Sequence, residues 1–201
     1  LRAVYAGESY CRFRSVDKVL AEIADIRRRY SFINAMSFDD DILFLKRDWF
    51  TEFTAKYKSQ VGLPFHCNYR PGINAREVIP ALAEAGCRHI QIGLESGNDN
   101  IRRGVLGRKM TSEAIGEAVR LAHQYGISVG TNSMVGIPGE TPRTVLDTVK
   151  LNALVGPDRL FVSILCPFPG TQLYERCLTK GMLSKRSTTS FTFDSVLNLP
   201  T

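Results

Sequence analysis

An α/β fold, a parallel sheet with helices packed outside it, is what the sequence predicts, and three observations predict it. Short apolar runs alternate with longer amphipathic segments, glycines punctuate the joins, and each connecting segment is long enough for a right-handed crossover. A barrel and an open doubly wound sheet both satisfy this pattern.

The first helix follows Ser15 as N-cap and carries Val16, Val19, Leu20, Ile23 and Ile26 on one stripe. Residues 31–38 read as a strand. A second helix over roughly 46–60 puts Trp49, Phe50, Phe53 and Tyr57 on one side and stops at Gly62, before a short strand around Phe65, Cys67 and Tyr69. Asn74 then caps a third helix, with Glu77 placed for a capping box, Pro80 inside and Gly86 beyond its last apolar position. Arg88 to Leu94 alternates Ile90, Ile92 and Leu94 as a strand. Thr111 caps a helix carrying Ile115, Ala118, Val119 and Ala122, which ends at Gly126. Ile127 to Val135 is the next strand, and Thr141-Pro142 opens a helix with Val145, Leu146, Val149 and Leu154 as its apolar residues. Residues 160–165 give the last strand.

Composition is that of an ordinary globular chain: 201 residues, 44% hydrophobic and 23% charged. No apolar run approaches the ~20 residues that span a bilayer, so the chain reads as soluble and cytoplasmic with no membrane partner. The net charge of +6 suits an anionic ligand or a nucleic acid. Its densest groups are Arg12/Arg14, Arg27–Arg29, Arg102-Arg103 and Arg108-Lys109, and the arginine triplet sits at a helix end, where it reads as a solvated face. Cys11, Cys67, Cys87, Cys166 and Cys177 form no Cys-x-x-Cys, so the visible sequence holds no self-sufficient zinc or iron–sulfur ligand run.

Ligands of parallel sheets sit at the carboxyl ends of the strands. The segments after successive strands are Asp39-Asp40-Asp41; Asn68 and Arg70; Gly93-Leu94-Glu95-Ser96-Gly97; Gly136-Ile137-Pro138-Gly139-Glu140; and Pro167-Phe168-Pro169-Gly170. Together they offer carboxylates, an arginine and glycines that let a ligand approach the backbone. Such a rim suits a ligand with an ammonium, a carboxylate, sugar hydroxyls and a flat base. The aspartates also read as solvated turn residues and the Gly136–Gly139 loop as a simple turn. Glu95, directly after an alternating strand, requires a partner. No phosphate loop, Gly-x-Gly-x-x-Gly or Gly-x-Ser-x-Gly elbow is present. His66, His89 and His123 read as structural.

Taken in order, Phe38-Asp39-Asp40-Asp41, Gly93–Gly97, Met134–Thr141 and Pro167–Tyr174 resemble the radical S-adenosylmethionine (radical SAM) superfamily over roughly residues 11–180. The likeness is nearest to the branch associated with a B12-binding domain, where a segment like Arg12–Val16 opens the first helix. The resemblance implies a partial (β/α) barrel, with 1–180 as that barrel lacking its first strand and 181–201 as a tail or the start of an extension. Ser187–Ser190, Phe191 and Phe193 carry no recognised motif there. It implies S-adenosylmethionine and a [4Fe–4S] cluster as cofactors, the cluster ligands lying on a Cys-x-x-x-Cys-x-x-Cys loop upstream of Leu1, and cobalamin on a separate domain. The family's reaction is reductive cleavage to a 5′-deoxyadenosyl radical that abstracts hydrogen from a substrate. A small-molecule substrate and an electron donor such as flavodoxin or ferredoxin are its implied partners.

By the same resemblance, Asp40 and Asp41 receive the methionine ammonium, and Glu95 accepts from the ribose hydroxyls with Asn68 or Arg70 nearby. Arg108 pairs with the methionine carboxylate, with Arg102 and Arg103 competing for that role, while Gly136, Gly139 and the backbone around Cys166 flank adenine. Two alternatives stand beside this reading: a tRNA methylthiotransferase-like enzyme, which the basic charge suits, and a non-catalytic nucleotide-binding or structural barrel. The chain alone is expected to be inactive.

Overall fold

A computed structural model of the chain describes residues 12–183 and 195–198. Cys11 and the segment from Ser187 to Phe193 lie outside the described residues. Ser15 opens α1 (Val16–Arg29), its hydroxyl accepting from Lys18 N at 3.4 Å, and Val16, Leu20 and Ile23 are the buried stripe. The strand expected over 31–38 is shorter. Only Met36–Phe38 (β1) pair, because Ile33 N–H turns back to Tyr30 O and the first ladder bond is Met36 N–H to Pro64 O.

α2 (Arg47–Gln60) buries Phe50, Phe53 and Tyr57, and Trp49 stacks on Phe53 at 5.1 Å. Burial pushes the Tyr57 phenol up to about 12. β2 (Phe65–Tyr69) follows, then α3 (Ala75–Ala85), which runs unbroken through Pro80. The capping box expected at its start does not form. Asn74 adopts φ +29°, which turns its side chain from the first-turn N–H groups to the Glu77 carboxylate, and Glu77 N–H bonds the Asn74 carbonyl instead. Gly86 ends α3 with φ +105°.

β3 (Cys87–Glu95) leads through a π-helical turn, Ile101–Val105, to α4 (Ser112–Gln124), where the Thr111 side chain accepts from Ala114 N. β4 (Ser128–Val135), α5 (Pro142–Val155), β5 (Arg159–Ile164) and α6 (Gln172–Thr179) complete the order. Thr141 and Thr144 form a reciprocal capping box at α5. Thr141→Ala is expected to cost about 1 kcal/mol, read from the urea midpoint.

All strands are parallel and the sheet order is β1-β2-β3-β4-β5. A doubly wound sheet reverses its strand order at a switch point, and this one does not. Sequential right-handed crossovers place the helices on one face, giving a partial barrel that is not closed. Phe65, Cys67, Tyr69, Ile90, Ile92 and Val129 point outward into a core shared with α1–α4. Period-2 alternation sends the intervening side chains to the inner face. No helix among the described residues is long and apolar enough to cross a membrane.

α5 departs from expectation. Leu146, Val149 and Leu154 are exposed, while Thr148, Leu151 and Asn152 are its buried residues. The sheet surface beneath it explains this, because Thr131 and Ser133 face outward and are buried. Asn152 Oδ1 accepts from Thr131 Oγ1 at 2.7 Å, and its Nδ2 donates to Ser133 Oγ at 3.1 Å and to Thr148 O at 2.9 Å. An apolar stripe would leave those hydroxyls without partners. Asn152→Leu is accordingly expected to cost about 2 kcal/mol in urea unfolding, with little change in the slope.

Candidate functional site

Because the strands run parallel, their carboxyl ends share one rim. Residue Asp40 stands on the exposed turn after β1, and its backbone carbonyl accepts from Asn68 Nδ2 at 3.1 Å. Asn68 reaches it from the inner face of β2, so the two strand ends are joined at the backbone. The carboxylates of Asp40 and Asp41 and the guanidinium of Arg70 are exposed.

Glu95 closes β3 in the left-handed region, at φ +67°, where the ladder to β4 shifts register. A non-glycine residue held there is strained and needs its surroundings to fix it. They do so through Gly93: a Cβ added at Gly93 would stand 2.9 Å from Glu95 Oε1, so the carboxylate lies over a position that must be bare. The Glu95 side chain is only 12% exposed, and its Oε1 is 3.0 Å from Arg108 Nη2. Burial raises its pKa above the usual glutamate value, and the Arg108 charge opposes that rise.

The three candidate arginines separate cleanly. Arg102 is fully buried and donates to the Ser96 and Met110 carbonyls, to Ser112 Oγ and to the Asp99 carboxylate. Those bonds fasten the segment between β3 and α4, and they leave no face for a ligand. Arg103 stands 4.0 Å from Asp99. Arg108, half exposed and already on Glu95, is the one the geometry brings to the rim.

After β4, Gly136 and Gly139 take φ +76° and +86°, a conformation that brings the Ile137 N–H to Glu140 Oε2 at 2.9 Å. Glu140 Oε1 is buried with no hydrogen-bond partner, and burial raises the pKa of this carboxyl. Cys166 is half buried beside the exposed Phe168 after β5.

Sequence reasoning missed the inner face beneath this rim. His66 and His89 face it, and His89 is bonded along the sheet to Ser128 and Gln91. The signal was the polar half of the period-2 pattern: His89, Gln91, Gly93 and Glu95 on β3, and Ser128, Gly130 and Asn132 on β4. His123 lies elsewhere, 3.0 Å from Asp158 on the outer surface.

The rim therefore offers a backbone carbonyl, a buried carboxylate, a guanidinium and a glycine-lined turn, which complement an ammonium, a vicinal diol, a carboxylate and a flat base. These fit S-adenosylmethionine. No group of three or more His, Cys, Asp or Glu side chains among the described residues could hold a metal ion, so an iron–sulfur cluster does not fit here from the described residues alone.

The family model described as the radical SAM superfamily matches residues 3–151. An uncharacterized methyltransferase of Pyrococcus horikoshii is 27% identical over 191 residues, which is 94% of this chain and 41% of that protein. A tRNA-2-methylthio-N(6)-dimethylallyladenosine synthase of Thermus thermophilus is 30% identical over 102 residues, 49% of this chain and 22% of that protein. Among solved structures, the radical S-adenosylmethionine methyltransferase TsrM of Kitasatospora setae, with tryptophan substrate and a SAM analogue bound, superposes with a TM-score of 0.72 at 22% identity. That superposition covers 92% of this chain and 38% of that one. The chain thus spans between about a fifth and two-fifths of the length of these relatives.

Proposed function

Because the chain belongs to the radical SAM superfamily, we propose that it is the S-adenosylmethionine-binding portion of a methyl-transferring enzyme whose cobalamin is held by a separate domain. The single observation that carries the binding site is the Glu95–Arg108 pair at the end of β3. Likeness to methyltransferases in both sequence and fold supports the reaction class. When bound, S-adenosylmethionine supplies methyl-transfer or hydrogen-abstraction chemistry, and the chain's own residues position it.

Glu95, ionised and held over Gly93, accepts two hydrogen bonds from a ribose diol. Arg108 keeps that carboxylate charged and offers its exposed edge to the methionine carboxylate. The Asp40 carbonyl, steadied by Asn68, receives the ammonium, and Asp41 adds negative charge beside it. Arg70 stands at the same rim, beyond Asn68. The Gly136–Gly139 turn presents bare backbone to the adenine face.

Glu95→Gln is expected to weaken S-adenosylmethionine binding to the chain by about 10- to 100-fold in calorimetry, because charge-assisted bonds to both hydroxyls are lost. The variant should fold. A carboxyl whose pKa is raised in the folded state contributes stability below the ordinary glutamate value and loses it as pH rises through the raised value. At neutral pH the glutamine therefore leaves thermal stability equal or higher. Wild-type affinity should fall as pH drops through the Glu95 pKa, and the Glu95→Gln affinity should show no such step. Equal affinity of the two proteins would remove Glu95 from the site.

A second reading is a tRNA-modifying enzyme of the methylthiotransferase type, which the Thermus thermophilus relative and the +6 charge favour. It predicts tRNA binding whose affinity falls steeply with salt.

A further inference from the structure

Helices α4 and α5 leave a groove of about 780 Å³ between them on the outer surface, on the opposite side of the sheet from its inner face. Gly116, Leu151 and Val155 form its floor, Leu154 stands on its lip, and Arg120 and His123 lie at the end far from the rim. Leu154 is 83% exposed, and Leu146, two turns before it, is also exposed. With Lys150 between them at i, i+4 and i+8, these residues make one stripe along the lip of the groove. A small molecule lying in the groove leaves Leu146 in water, so only a protein surface covers the whole stripe.

Gly116 sits inside α4, where glycine is a weak helix former. A Cβ there would stand 3.8 Å from Val155 Cγ1, an ordinary contact, with nothing nearer. Packing within the chain does not require the glycine, and its bareness deepens the groove. Charges complete the pattern. At the rim end Glu113 is exposed, and its own backbone N–H, the Thr111 side chain and the charges of Arg103 and Arg102 hold its carboxyl below the usual glutamate range. Lys150 is exposed and makes no ion pair among the described residues. At the far end Arg120 reaches only Gln124 Oε1, at 3.4 Å, and α5 carries no basic residue in its last turn.

We propose that the α4–α5 face is a self-association surface on which two copies of this chain pair about a two-fold axis with their α5 helices parallel. A surface that carries a ridge and the groove beside it is complementary to itself, as a two-fold contact requires. With the helices parallel, Leu154 of one copy enters the depression over Gly116 of the other. Lys150, one turn nearer the rim than Leu154, then meets Glu113, one turn nearer the rim than Gly116. Arg120, a turn beyond Gly116 in the other direction, meets the C-terminal carbonyls of the second α5, where a cation is favoured. An antiparallel crossing brings Lys150 to Arg120 instead, like charge to like. Each contact occurs twice, and both rims open in the same direction.

Sedimentation equilibrium of the chain from micromolar to submillimolar concentration tests this, with far-UV circular dichroism reporting the fold of each variant. The wild type is expected to show a reversible monomer–dimer equilibrium that weakens with salt. Glu113→Lys and Lys150→Glu should each weaken pairing at least tenfold, because either one turns both attractive contacts into repulsive ones. An equimolar mixture of the two variants should recover a one-to-one dimer, since the first chain is then basic at both positions and the second acidic at both. Gly116→Met fills the groove with a better helix former. It should weaken pairing at least tenfold while the melting temperature of the dilute chain stays the same or rises. A chain that is monomeric throughout the range, pairing that neither charge variant weakens, or weakened pairing that the mixture fails to restore would overturn the proposal. A different protein as the occupant of the groove gives the first of these outcomes, and pairing through an exposed strand edge gives the second.

Discussion

Gly97→Ala is expected to destabilise the chain by about 3 kcal/mol, the upper end of ordinary overpacking. A Cβ at this position would stand 2.2 Å from Asp147 O and 2.5 Å from Thr148 Cα, which are backbone atoms of α5 that cannot rotate aside. Gly97 N–H also donates to Thr148 Oγ1 at 2.8 Å, and Asn98 Nδ2 donates to Asp147 Oδ2 at 2.9 Å. The added methyl must therefore push the segment after β3 away from the helix and stretch both bonds. Because that segment begins at Glu95, ligand affinity should fall together with stability. Urea unfolding checks the first effect, and a loss below 1 kcal/mol would mean that α5 is not held where the contact places it.

Arg102→Leu is expected to cost about 3 kcal/mol or more by the same measurement. The substitution leaves the buried Ser96 carbonyl and the part-buried Met110 carbonyl without their guanidinium donors. Asp99 is half exposed and returns to solvent at little cost, so the loss comes mostly from the two carbonyls. Arg108 N–H bonds the Arg102 carbonyl at 2.9 Å, so the variant also loosens the segment that brings Arg108 to Glu95. Arg102→Lys should recover only part of the loss, since an ammonium cannot reproduce the forked geometry.

Much of the fold was legible because its signals are local. Caps at Ser15, Thr111 and Thr141 and stops at Gly62, Gly86 and Gly126 fall where the structure has them, since each acts within a turn of its own position. The same locality explains the misses. Residues 31–38 carry strand-like composition, yet only the three that meet β2 pair, and the extent of a strand is decided by its partner. Leu146, Val149 and Leu154 look like a core stripe, but α5 lies on Thr131 and Ser133, which are distant in sequence.

The candidate site was legible to a similar depth. Strand-end positions follow from topology, which brought Asp40, Asn68, Glu95 and the Gly136–Gly139 turn to one rim. The choice among Arg102, Arg103 and Arg108 could not be made from sequence, because it depends on how the π-helical turn at Ile101–Val105 buries the first of them. The inner face was hidden for another reason. Its polar side chains occupy alternate positions on strands whose other half is apolar, and the apolar half dominates the reading.

The central claim is that this chain holds S-adenosylmethionine at the carboxyl ends of its strands with the ribose on Glu95. Nuclear Overhauser contacts between the ligand and the isotope-labelled chain test it most directly. The account predicts contacts from ribose H2′ and H3′ to the Glu95 side chain and from adenine H2 and H8 to residues 136–139. Saturable binding whose ribose contacts fall on other residues, with Glu95 untouched, would contradict it.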